Sequence, residues 1–153
     1  MSGLLVAEAE LRVLAEPRRV LEAIVDPAVM SRYFITSGSE RLEVGRTVRW
    51  VFSPPGVEVE VRATRVEAGR IEFVWAAGGV EAEVRMLLEP SEGGTTVSVT
   101  ESGWPRNEAG VVRCVEQSKG WVAFLYRMKG YLEYQVDLRR GGPLGGAGKF
   151  VKS

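Results

Sequence analysis

Six stretches between Leu4 and Glu101 alternate apolar with polar residues, and beyond Asn107 the pattern changes to helical spacing without a proline before residue 140. This change of period is the strongest constraint on the fold. Side chains alternate across a strand but recur every third or fourth residue along a helix face. The alternating stretches run Leu4 to Leu14, Arg46 to Phe52, Val57 to Glu67, Arg70 to Ala76, Val80 to Glu89 and Thr95 to Glu101. Pro54-Pro55-Gly56, Ala68-Gly69, Gly78-Gly79 and Glu92-Gly93-Gly94 separate the later ones, which predicts hairpin-linked antiparallel strands. After the first strand, Pro17 opens a helical spacing of Val20, Leu21, Ile24 and Val25 that Asp26-Pro27 breaks, and a second short helix is predicted from Pro27 to Tyr33. Trp121, Leu125, Met128 and Leu132 then lie on one face of a long helix from Asn107 to about Arg140.

The predicted class is α+β: a curved six-stranded antiparallel sheet wrapped around a long C-terminal helix, with two short helices after strand one. A chain of 153 residues suits one such domain, placed at residues 1–140, and residues 141–153 are glycine-rich and predict a flexible tail.

Composition narrows the chemistry. Twenty basic residues balance twenty acidic ones, so no net field holds a nucleic acid or an anionic membrane, and no apolar run approaches the ~18 residues of a membrane span. A cytoplasmic location is expected. The chain has no histidine and a single cysteine, Cys114, which removes serine and cysteine triads, histidine metal sites and zinc or iron-sulfur clusters. No metal and no cofactor are therefore expected, no catalytic residue is assigned, and a catalyst built here would have to rely on carboxylates, Tyr, Lys or Arg.

The order of elements, together with AEPRRVLEAIVDPAVMSRYF, VGRTVRW, RIEFVW, EGGTTVSVTESG and GWVAFLYRMKGYLE, resembles the START-like (SRPBCC) superfamily of helix-grip domains. Within it, the chain is similar to bacterial relatives of the activator of the ninety-kilodalton heat-shock chaperone ATPase. The resemblance covers about residues 8 to 135, and Tyr33 stands where many relatives carry tryptophan. It implies a hydrophobic ligand held between sheet and helix, with some superfamily members cyclising or hydroxylating a substrate there. Fold alone does not fix which.

The alternation places Trp50, Phe52, Phe73, Trp75 and Met86 on the inward face, opposite Trp121 and Leu125 on the helix. These residues are the expected ligand-binding wall, although each is also what an ordinary packed core would contain. Glu101 follows Val97 and Val99 in phase, so it either enters the pocket as its polar end or, if the strand stops at Thr100, lies solvated beside Ser102-Gly103. Gly103-Trp104-Pro105 is read as a loop before the helix. Arg62, Arg65 and Arg85, alternating with glutamates, are expected on a solvated outer face.

The leading functional expectation is the binding of a small hydrophobic or amphipathic ligand by a monomer or homodimer. The alternatives are a chaperone-associated or stress-response module acting through its surface, and a cyclase- or hydrolase-type enzyme using Glu101.

Overall fold

The structure, a computed structural model, describes residues 3–52 and 56–139. The predicted turn at Pro54-Pro55 and the glycine-rich tail lie outside the described residues. In chain order the elements are β1 (Leu5–Val13), α1 (Pro17–Val25), α2 (Pro27–Met30), β2 (Ser37–Gly38), β3 (Thr47–Phe52), β4 (Val57–Glu67), β5 (Arg70–Trp75), β6 (Ala82–Ser91), β7 (Gly94–Trp104) and α3 (Glu108–Tyr134). One antiparallel sheet has the order β1-β7-β6-β5-β4-β3-β2. α3 lies across its concave face.

Among the described residues the sheet has seven strands where six were predicted. The additional one, β2, has two residues, Ser37 opposite Val51 and Gly38 opposite Trp50, too few to produce an alternation. Gly38 is required there because a Cβ would come within 2.8 Å of Pro27 Cβ at the start of α2. The larger correction concerns β7, which continues through Trp104 instead of ending near Glu101. Val6 pairs with Ser102 and Leu5 with Trp104, so Gly103 is an extra residue in a β-bulge. The bulge changes the phase, turning Glu101 and Trp104 inward although they are three residues apart. The Trp104 indole N–H then donates to Gly78 O (3.1 Å), and the residue predicted to lie in a loop is buried.

β6 runs past the predicted end at Glu89 through Pro90, which faces only Thr95 of β7 because β5 has already ended opposite Leu87. Lacking an N–H, proline is tolerated in such a one-sided position. α3 is capped at its start by the Asn107 side chain, which accepts from Gly110 N–H (2.8 Å). It stops at Tyr134, short of the predicted end, where Gln135 turns left-handed (φ 56°). Gln135 N–H donates to Tyr131 O and Val136 N–H to Gly130 O, closing the helix without the glycine that usually announces such a stop. The Arg139 guanidinium then donates to Ser31 O and Ile35 O, tying the returning chain to the end of α2.

The core is formed where the alternating inner residues of the sheet, among them Val48, Trp50, Val61, Ile71, Phe73, Val84, Met86, Val97 and Val99, meet Trp121, Phe124, Leu125, Met128 and Leu132 of α3. At the edge strand, Glu133 of α3 accepts from Leu14 N–H (2.8 Å) and from Lys129, fixing the helix against β1. Burial works to raise the Glu133 pKa, but the hydrogen bonds from Lys129 and Leu14 and the charges of Lys129 and Arg12 prevail and hold it below the ordinary carboxylate value. The outer face carries the predicted arginine–glutamate pairs, with Arg65 and Arg85 meeting at Glu72.

Candidate ligand cavity

β4 is longer than its neighbour. It pairs with β5 only from Arg62 to Glu67, so residues 57–61 are bound to β3 on one side and have no partner strand on the other among the described residues. The chain leaves β5 at Trp75 and turns away through Ala76 and Ala77, which opens a gap between the projecting edge of β4 and α3. Gly120 keeps the helix side of this gap clear, since a Cβ there would meet nothing within 4 Å.

The result is a half-open cavity of about 570 Å³. Phe34, Phe52, Val57 and Val59 form one side; Trp75, Ala76 and Ala77 form another; Gln117, Gly120 and Trp121 come from α3, and Glu58 and Glu60 contribute at the β4 edge. Its aromatic groups are tightly organised. The Trp75 and Trp121 rings stack with centroids 5.4 Å apart, and Phe34 meets Phe52 edge-on at 5.2 Å and Phe124 at 4.7 Å. A mostly apolar concavity with a few polar groups is the usual form of a small-molecule site.

Directly behind the indole pair lies Glu101, which has no exposed surface. Its Oε2 accepts from Trp75 Nε1 (2.8 Å), and its Oε1 accepts from both Trp121 Nε1 (2.8 Å) and Gln117 Nε2 (2.8 Å). Glu101 is therefore buried, and the solvated alternative is excluded. It forms no ion pair among the described residues, so neutral N–H donors alone compensate for its burial. These bonds set the tilt of both indoles. Burial, and to a smaller extent the nearby Glu101 charge, raise the pKa of Cys114, leaving a thiol poorly suited to nucleophilic chemistry.

Of the residues predicted to form the wall, Phe52, Trp75 and Trp121 line the cavity and Glu101 sits immediately behind it. Trp50 and Phe73 pack edge-on against Trp75 at 6.0 and 5.3 Å and support it from the core side. Met86 and Leu125 are fully buried elsewhere, outside the lining. Phe34, Gln117 and Gly120 were not anticipated. Gln117 precedes Trp121 by one helical turn, and a glycine inside a helix costs about 1 kcal/mol relative to alanine, so both positions carried a usable signal. Tyr33 is buried beside this region, with its hydroxyl donating to Ala23 O (2.8 Å) and burial raising its pKa well above the ordinary phenol value.

Residues 14–133 match the family described as "Activator of Hsp90 ATPase homolog 1-like protein". The chain belongs to this family. The protein SSP2350 from Staphylococcus saprophyticus is 30% identical to this family member, with a TM-score of 0.78 over 90% of this chain and 98% of that one. DynU16, from the dynemicin biosynthetic locus, is 26% identical with a TM-score of 0.76; the match takes in 85% of this chain and 48% of DynU16. The Aha1 dimer from Colwellia psychrerythraea shares the fold at 20% identity, with a TM-score of 0.72 over 85% of this chain and 97% of that one. A comparison with curated proteins gave no match. No helix among the described residues is long and apolar enough to cross a membrane.

Proposed function

We propose that the protein binds a small hydrophobic or amphipathic molecule in the cavity between β4, β5 and α3. The observation that carries this reading is the cavity itself: about 570 Å³ bordered by two stacked indoles and two phenyl rings, held open by a glycine in mid-helix. A chain using this region only as core would gain helix stability from alanine at position 120 and dispersion energy from filling the void. That a relative, DynU16, comes from a biosynthetic locus accords with a small-molecule occupant. An enzymatic use of Glu101 has less support, because its oxygens already accept three hydrogen bonds and it is shielded from the cavity by Trp75 and Trp121.

The test is a titration with the neutral fluorophore N-phenyl-1-naphthylamine, following both probe emission and tryptophan quenching. Wild type is expected to bind saturably at one site. Gly120→Leu, which directs a side chain into open space, should abolish binding and leave the melting temperature at or above the wild-type value. Equal binding by the two proteins contradicts the reading.

A second reading rests on a different surface. Val111, Val115, Val122 and Tyr126 are each roughly half exposed and follow one another along a single stripe of α3. Self-association through this stripe accords with the dimeric relative. Sedimentation of wild type against Val122→Lys tests it, and a monomer at all accessible concentrations excludes it.

A further inference from the structure

The donors and acceptors around the cavity are unequally distributed. The two indole N–H groups at its wall, on Trp75 and Trp121, are both turned away and given to Glu101, and the Gln117 amide nitrogen points the same way. Gln117 therefore presents its carbonyl oxygen as the part of the amide not committed to Glu101. Glu58 and Glu60 stand at the β4 edge, and no lysine or arginine is among the lining residues. Arg49 approaches Glu58 to 3.5 Å, and Glu60, exposed on the outer face of β4 near Arg49 and Arg62, forms no ion pair among the described residues. Behind the indoles sits the carboxyl group of Glu101, buried without a cation partner among the described residues.

From this asymmetry, and resting on the reading of the cavity as a ligand site, we infer that the ligand carries a positively charged amine or ammonium group attached to an aromatic or aliphatic body. Indole faces attract cations through their quadrupole, and the attraction grows when water is excluded. The Glu101 carboxylate behind the rings, with Glu58 and Glu60 farther off at the rim, adds a potential of the same sign, felt more strongly near a low-dielectric wall than in water. A carboxylate or phosphate ligand would meet the opposite situation: acceptors facing acceptors, with no side-chain cation to receive it. Discrimination thus arises as much from the lack of a partner for an anion as from attraction of a cation.

The test uses three probes with one body and different heads: 4-phenylbutylamine, 4-phenylbutanol and 4-phenylbutyrate. Binding is followed by NMR through the Trp75 and Trp121 indole N–H resonances and the Gly120 amide at low salt. The amine is expected to bind about tenfold tighter than the alcohol, with the acid weakest. Glu60→Lys, an exposed change at the rim, should reduce the amine's advantage severalfold, as should raising the salt concentration. If the alcohol or the acid binds as well as the amine, the charge inference is overturned while the cavity reading stands. If none of the three moves these resonances and Gly120→Leu is indistinguishable from wild type toward the neutral fluorophore, the cavity reading itself has failed.

Discussion

The bond between Glu101 and the indoles can be measured by a double-mutant cycle with Glu101→Gln and Trp75→Phe. Glutamine offers one acceptor oxygen where glutamate offers two. If that oxygen takes the place of Oε1 it retains Trp121 and Gln117, and the Trp75 N–H then faces an amide N–H₂; the other orientation strands Trp121 and Gln117 instead. Either indole is at least nine-tenths buried, with Trp75 5% and Trp121 2% exposed, so water does not readily replace the lost partner. An orphaned buried donor costs about 1–3 kcal/mol, and a hydrogen bond to a charged group contributes about 1.5–3 kcal/mol. Against this, removing a buried charge relieves its desolvation, which makes the single substitution a poor gauge of the bond. The cycle cancels that contribution because it appears in both backgrounds. The expected coupling between positions 75 and 101 is therefore about 1.5–3 kcal/mol, read from urea unfolding at pH 7 with an unchanged denaturant slope. A coupling below about 0.5 kcal/mol would refute the view that Glu101 holds the indole wall in place.

Further outcomes follow from other parts of the structure. Met86→Trp should overpack a site where the native side chain is fully buried and lower stability by about 1–3 kcal/mol, without reducing probe affinity in the folded protein; a stable variant that no longer binds would move the cavity to Met86. Tyr33→Phe leaves the Ala23 carbonyl unpaired and should cost about 1–2 kcal/mol, measurable in the same assay. Because the folded-state pKa of Glu133 is depressed, its contribution is present at neutral pH and lost as pH falls below the ordinary carboxylate range. Glu133→Gln should accordingly be less stable than wild type at pH 7, and the difference should shrink as the pH is lowered toward 3; a gap that stays constant with pH would contradict the assignment.

The sequence made some of these features visible and concealed others, for physical reasons. Alternation in β3 to β7 and the spacing of Trp121, Leu125, Met128 and Leu132 report directly on burial, so these strands, the long helix and the inner face were legible. Trp104 was missed because the Gly103 bulge shifts the phase by one residue, and a bulge is a relation between two strands that neither segment displays alone. The end of α3 was missed because Gln135 adopts the left-handed conformation without glycine's usual mark. Inward direction identified Phe52, Trp75 and Trp121 as wall candidates but equally Met86 and Leu125. Periodicity states which way a side chain points. It does not state where the opposing layer stands apart, and that depends on β4 outrunning β5 and on Gly120 lying across the gap.

Whether a ligand enters this gap and contacts the indole pair is read out by a chemical-shift map of the ¹⁵N-labelled protein titrated with N-phenyl-1-naphthylamine. The largest saturable changes are expected on the Trp75 and Trp121 indole N–H groups, the Gln117 side chain, the Gly120 amide and the backbone of residues 57–60, and Gly120→Leu should remove them together. Changes confined to the exposed valine stripe of α3 or to the outer face of the sheet, with the two indole resonances unmoved at saturation, would contradict the cavity reading.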